Sequence, residues 1–429
     1  MPTSPTRRPR PPAARTVLAL SACLALLCGV LAAPPARAAV LPSHLELQST
    51  HTSVDNGWER VEHYRDARPG FTAEQFPPDG RGDQDGQRAA FFGTAQPDSS
   101  RFLLYHAPGW DTAPRGAVLL VHGANDTPDR AWADPGESGD YGCGRASCPS
   151  TGMMQDLADE GYAVFAIGFA HKQGDNLMQA QQVGNALAVI RAKLGVSGAD
   201  VIGWSKGMMS ARMYVSSVVP EWGTEYAGDV GRLILLGGPN GGYDYPFAHG
   251  WAHDFSIWPE CGGTVNAPSP HTRMTCYGQY THHPEFSFVP DSGWDAYPGQ
   301  RQMLARWDHQ YGVNTAAQDW YTTYYGGQGV FTRGPGIQAA VDAGSLIGQI
   351  QGTGTPPEVP VYLLAGGAPT VVGIWNETRA PSDGVVFVDS ALDTTGVSTV
   401  GGTRLAATVN HLELGWHPTV RDQVTAWLQ

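Results

Sequence analysis

The 429 residues hold 27 Lys+Arg against 40 Asp+Glu, a formal net charge of −13, with 16% charged residues and 54 glycines. That acidic balance argues against nucleic acid and anionic membrane surfaces as partners. The length suffices for a large buried core, while sparse charge and abundant glycine point to a neutral-polar, loop-rich surface.

At the start of the chain, Arg7, Arg8, Arg10 and Arg15 precede an apolar run from Val17 to about Ala32, and Ala36-Arg37-Ala38 offers a small-residue cleavage site. Residues 1–38 therefore read as a secretory signal peptide. The apolar run is too short and wrongly flanked to be a membrane anchor. Pro9 follows Arg7-Arg8 and the rest of a twin-arginine signal is missing, which favours the general secretory route. Removing the segment takes five arginines and no acid, leaving 22 Lys+Arg against 40 Asp+Glu, net −18. A secreted, extracellular, monomeric protein is expected. Cys23 and Cys28 leave with the signal; Cys143, Cys148, Cys261 and Cys276 remain. Four cysteines in a secreted chain imply two disulfides. Proximity suggests Cys143–Cys148 and Cys261–Cys276, with three connectivities open. The spacings do not suit a metal site.

Residues 39–100 read as an N-terminal wrap: polar up to about Arg88, rich in Gly, Pro and Asp, with Phe71–Phe76 as the one candidate for local order. Arg101–His106 reads as a strand. Ala117–Val121 is a continuous apolar run of the kind found in buried parallel sheets, and it empties into His122-Gly123-Ala124-Asn125. A helix is expected from about Ser150 to Glu160 and a strand over 161–167. Leu177, Ala180, Val183, Leu187 and Ile190 are spaced for one helical face over 176–194. Val201-Ile202 then leads into Gly203-Trp204-Ser205-Lys206-Gly207, and a helix-forming stretch follows. Strand, sharp turn, helix is the setting of a nucleophile elbow, in which glycine is needed wherever the turn crowds the backbone. Arg232–Leu236 is another strand, so the alternation reads as α/β with a parallel sheet.

The alternation stops over residues 240–355, where 116 residues carry 19 of the 42 aromatics. This insertion reads as a cap over the site, its rings also packing the cap's own core. The sheet resumes over 359–366. A last strand over 405–409 precedes His411, and a terminal helix runs from Pro418 to Leu428.

This organisation resembles the secreted lipases and esterases of the α/β-hydrolase superfamily, over roughly residues 101–429. The motifs that carry the resemblance are Val121-His122-Gly123-Ala124, the run into Gly203–Gly207, Leu235–Gly242, and the pair Ser382-Asp383-Gly384 and His411-Leu412-Glu413. The order Ser, Asp, His is that of the superfamily. Trp204 and Lys206 depart from the residues usual in a lipase box. The resemblance implies an α/β-hydrolase fold, with a core of residues 101–239 and 356–429 and a cap at 240–355. It implies Ser205 as nucleophile, His411 as base and Asp383 as its orienting acid. The backbone N–H groups of Ala124 and Lys206 are then the oxyanion donors. Trp204 is expected to pack under the elbow, and Lys206 either to steer an anionic group or to snorkel to water.

Alternatives weighed against these are His417 for the base and Asp389 or Asp393 for the acid, while His122 reads as a structural loop-former. Six histidines fall in the insertion (His249, His253, His271, His282, His283 and His309), and His249-x₃-His253 has helical metal-pair spacing. Polar packing explains them without zinc, and neither metal nor cofactor is expected. The expected activity is hydrolysis of hydrophobic acyl esters by a lipase or broad esterase. A polyester or polyhydroxyalkanoate depolymerase, an amidase and a non-catalytic binding protein of the same fold stay open beside it.

Overall fold

The computed structural model describes residues 40–76, 80–137, 142–248, 295–313, 324–328, 333–334, 336–372, 374 and 376–429. The proposed signal peptide, Cys261, Cys276 and the histidines at 249, 253, 271, 282 and 283 lie outside the described residues.

A nine-stranded sheet organises the chain. Its strands are β1 (Leu45–His51), β2 (Arg60–Asp66), β3 (Arg101–His106), β4 (Ala117–Val121), β5 (Ala163–Phe169), β6 (Ala199–Trp204), β7 (Val230–Leu236), β8 (Val361–Gly366) and β9 (Val400–Ala406). They lie in the order β1-β2-β3-β5-β4-β6-β7-β8-β9. Pairing is antiparallel from β1 through β3 to β5 and parallel from β5 to β9.

The central strands are apolar over most of their length, Asp200 and Arg232 near the starts of β6 and β7 excepted, because both faces are covered. Alternate residues serve opposite layers: Leu119, Val121, Val201 and Leu235 face one core, and Val118, Leu120, Ile202 and Ile234 the other. Helices α1 (Gly86–Phe92), α2 (Met153–Asp159), α3 (Asn176–Leu194) and α4 (Lys206–Val215) follow in chain order. The first core packs on α3 and α4 through Ala180, Val183, Leu187, Met208 and Met209. After β7 come α5 (Tyr245–Ala248) and α6 (Pro298–Arg301), then short helices at Gly336–Asp342, Ile347–Thr353 and Val388–Ala391, and the terminal α7 (Pro418–Leu428). The second core packs on α2 through Met153, Met154 and Leu157, and on α7 through Val420, Val424 and Leu428.

The region read as a wrap contains two strands of the sheet. β1 buries only Leu45, and β2 buries polar residues on both faces, Glu62 and Asp66 on one and His63 on the other, beside Val61 and Tyr64, so hydrophobic alternation does not reveal them. The two acids are partnered: Glu62 accepts from Lys193 Nζ at 2.8 Å and Tyr64 Oη at 2.8 Å, and Asp66 from Arg68 Nε at 3.0 Å and Asn185 Nδ2 at 2.7 Å. Phe71–Phe76, the expected patch of local order, is irregular. Coverage by this N-terminal stretch also buries the outer face of α3, where Gln182 Nε2 donates to the Ser99 carbonyl at 2.9 Å.

Candidate active site

β6 ends at Trp204 and α4 begins at Lys206, so one residue makes the turn. Ser205 has φ 53° and ψ −128°, a positive-φ conformation that costs a non-glycine residue ~1–3 kcal/mol. Its N–H donates to the Leu236 carbonyl at 2.9 Å, and its own carbonyl accepts from Met208 N–H at 3.1 Å. Crowding explains the flanking glycines. A Cβ on Gly203 would lie 2.8 Å from Met208 Cα, and one on Gly207 would lie 2.3 Å from the Val121 carbonyl oxygen.

His411 reaches this turn from the loop after β9. Its Nε2 is 2.8 Å from Ser205 Oγ, and its Nδ1 is 2.8 Å from Asp383 Oδ2. The Asp383 side chain is fixed in turn, since Oδ1 accepts from Val385 N–H at 3.0 Å and Val386 N–H at 2.8 Å. The two loops are also joined through the backbone, His411 N–H donating to the Asp383 carbonyl at 2.8 Å. Both side chains are buried. The alternatives lie elsewhere. His417 caps α7, its Nδ1 accepting from Thr419 N–H at 3.2 Å. Asp389 is bonded to Gln310 and Tyr311, and Asp393 to Gln351 and Thr395.

The His411 segment is braced from three directions. Asn410 and Glu413 form a capping box: Asn410 Oδ1 accepts from Leu412 N–H at 3.1 Å, and Asn410 N–H donates to Glu413 Oε2 at 2.8 Å. The Asn-x-x-Glu spacing at 410–413 is a readable signal for this turn. From below, Trp204 Nε1 donates to the His411 carbonyl at 3.1 Å. From the side comes the loop closed by the Cys143–Cys148 disulfide. Asn410 Nδ2 donates to Gly144 O at 3.1 Å, Trp416 Nε1 donates to Cys143 O at 3.3 Å, and Arg145 pairs with Glu413.

Ala124 lines the cleft above Ser205. Its N–H and that of Lys206 bond to no acceptor among the described residues; the latter is a first-turn helix donor, which has no intrahelical partner. His122 is buried, donates from Nδ1 to the Gly123 carbonyl at 2.8 Å and accepts from Phe169 N–H at 3.4 Å. Burial pushes its pKa down to about 3, so it is a neutral loop-former.

Lys206 corrects the expectation. Its side chain is 2% exposed and neither reaches water nor lines the cleft; its ammonium donates to Gln179 Oε1. Burial pushes it down to about 7, against the opposing pull of Glu74 and Asp175.

The cleft has an apolar wall that includes Pro239, Tyr243, Tyr245, Met303, Val386 and Leu412. Its polar groups include Arg81, Asn125, Arg130, Gln173 and Gln300. Arg130 is paired with Asp126. Among the described residues, no three His, Cys, Asp or Glu side chains are placed to share a metal ion, and no helix is long and apolar enough to cross a membrane.

No protein-family model matches the sequence, and no curated protein matches it. The structure is similar to a Bacillus licheniformis lipase in its mature form, at 13% identity over 74% of this chain and 94% of that one, TM-score 0.38. It is also similar to a thermostable carboxyl esterase from Bacillus coagulans, at 16% identity over 76% and 91%, TM-score 0.38. A third similar structure is the naproxen esterase of Bacillus subtilis, at 14% identity over 77% and 88%, TM-score 0.36. The strand order, the parallel half of the sheet and the one-residue turn between β6 and α4 give the chain an α/β-hydrolase fold.

Proposed function

We propose that the protein is a serine hydrolase that cleaves carboxylic esters through an acyl-enzyme. The observation that carries the reading is the unbroken line from Ser205 Oγ to His411 Nε2 and from His411 Nδ1 to Asp383 Oδ2, each step 2.8 Å.

Neutral His411 takes the Ser205 proton as the oxygen attacks the ester carbonyl, because a hydroxyl at its own pKa is a poor nucleophile. Asp383 holds the Nδ1–H tautomer and stabilises the imidazolium that forms. The Ala124 and Lys206 N–H groups receive the negative charge developing on the carbonyl oxygen; losing one such donor typically costs ~10²–10³ in rate. His411 then protonates the leaving alcohol and activates the water that frees the acid. The apolar wall favours a hydrophobic acyl group, as in a lipase or broad esterase. On the same reading, residues 1–38 direct export, residues 240–355 cap the cleft, and Cys261 pairs with Cys276.

The test is labelling with a fluorophosphonate together with rates on p-nitrophenyl butyrate and palmitate. The expected result is one label, on Ser205, absent in Ser205→Ala, with both esters hydrolysed. A folded protein that takes no label and leaves the butyrate intact overturns the reading.

A further inference from the structure

Lys206 sits next to Ser205, yet its side chain leaves the cleft altogether and ends in a polar junction. Its ammonium donates to Gln179 of α3, whose Nε2 donates to the His171 carbonyl at 2.9 Å. Two carboxylates stand by. Glu74 accepts from Asp175 N–H at 2.6 Å, and Asp175 both caps α3, accepting from Leu177 N–H at 2.7 Å, and accepts from Gln302 Nε2 at 2.7 Å. The far side of the junction is α6. A Cβ on Gly299 would lie 2.0 Å from Lys206 Cε and 2.8 Å from its Nζ, so the α6 backbone rests on the lysine chain. Gly299 N–H donates to the Gln173 carbonyl at 3.1 Å, and Asn176 Nδ2 donates to the Gly299 carbonyl at 2.9 Å. This same stretch turns Tyr297 and Gln300 onto the cleft, where Gln300 Nε2 donates to Gln173 Oε1 at 2.8 Å.

We propose that the Lys206 side chain is a positioning residue, which ties the peptide bearing the Lys206 N–H to α3 and to the underside of the cleft wall, and so holds that N–H on the developing oxyanion. The inference rests on the ester-hydrolase reading. Burying an ammonium is costly unless it is compensated, and an apolar chain of similar length would fill the same volume without that cost. What the charged end adds is direction, since a hydrogen bond at the end of the chain fixes its path where packing alone leaves rotamers open. A donor held in this way needs no reorganisation when charge develops.

The experiment compares Lys206→Met, Gln179→Met and the double variant with the unmutated protein on p-nitrophenyl butyrate. Thermal melts check folding, and fluorophosphonate labelling checks Ser205. Each single variant is expected to lose roughly tenfold in kcat, short of the ~10²–10³ lost with a whole donor, with KM within about twofold. Ser205 still labels, and the double variant is no slower than the slower single one, because both substitutions cut the same tie. A kcat within twofold of the unmutated value in either folded variant, a loss confined to KM, or losses that multiply in the double variant overturns the proposal. If Lys206→Met does not fold, Gln179→Met alone decides by the same criteria. An unmutated protein that neither hydrolyses nor labels overturns the ester-hydrolase reading, and the positioning role with it; that failure shows before any substitution is made.

Discussion

The indole N–H of Trp204 donates to the carbonyl oxygen of His411 at 3.1 Å, so the residue before Ser205 holds the backbone of the residue whose ring meets Ser205. The elbow and the histidine segment are therefore tied directly to each other. Trp132 and Arg130 keep the indole in place, at 6.2 Å between ring centroids and 5.9 Å from guanidinium to ring.

Trp204→Phe keeps most of the packing and removes the donor. A net hydrogen bond is worth ~1 kcal/mol, so a loss of roughly fivefold in kcat is expected, with a small drop in thermal midpoint and little change in KM. Steady-state kinetics on p-nitrophenyl butyrate check this; an unchanged kcat would mean the other braces suffice.

Asp383→Asn preserves shape and hydrogen-bond count but favours the wrong imidazole tautomer. The expected loss is ~10⁴ in kcat with the fold intact. Asp389→Asn, at a side chain bonded to Gln310 and Tyr311, serves as the control and should lose less than about twofold. Equal losses in the two variants would assign the acid wrongly.

Gly237 lies against both the acid and the histidine. Its φ is +54°, and a Cβ there would stand 2.2 Å from Leu414 Cδ1 and 3.0 Å from Asp383 Oδ2. Gly237→Ala is expected to cost ~1–3 kcal/mol of stability through strain and overpacking and to lower kcat as Asp383 shifts. Chemical denaturation and kinetics on the same preparation test both effects.

The junction under the cleft gives stability a pH dependence. Glu74 is pushed up to about 7, first by burial and then by the charge of Asp175. Its folded pKa lies above its ordinary value of 4.5, so its contribution is complete below pH 4.5 and is lost as pH rises through about 7. Lys206 is pushed down to about 7 from 10.5 by burial. Between those two Lys206 values the unfolded chain holds the extra proton, and stability rises with pH. Thermal midpoints taken from about pH 4.5 to 7 should fall more steeply in the unmutated protein than in Glu74→Gln. Parallel slopes would remove Glu74 as the cause.

The parallel half of the sheet is legible in the sequence because Ala117–Val121, Val201-Ile202 and Leu233–Leu236 are buried on both faces and read as unbroken apolar runs. Ser205, Asp383 and His411 are each picked out by the loop they occupy, and those three side chains meet. β1 and β2 are not legible, because β1 buries only Leu45, and β2, with Glu62 and Asp66 buried on one face and His63 on the other, shows no apolar alternation. Lys206 escapes a sequence reading for a different reason. Its path is set by Gln179, Glu74 and Gly299, which come from three segments distant in sequence, and nothing local to the elbow announces that they converge. The Asn-x-x-Glu turn at Asn410, by contrast, is a local pattern that the sequence displays.

The loop closed by Cys143 and Cys148 touches the histidine segment at Asn410, Glu413 and Trp416. That bond can form only by oxidation of two thiols. A Cys143→Ser/Cys148→Ser variant is expected to keep the sheet and lose several-fold in kcat, readable by circular dichroism beside kinetics. Asn410, Glu413 and Trp416 all belong to the segment that seats the imidazole, so the oxidation is expected to bear on the base more than on the sheet. The redox state of one short loop is thus expected to bear on how firmly the base is held.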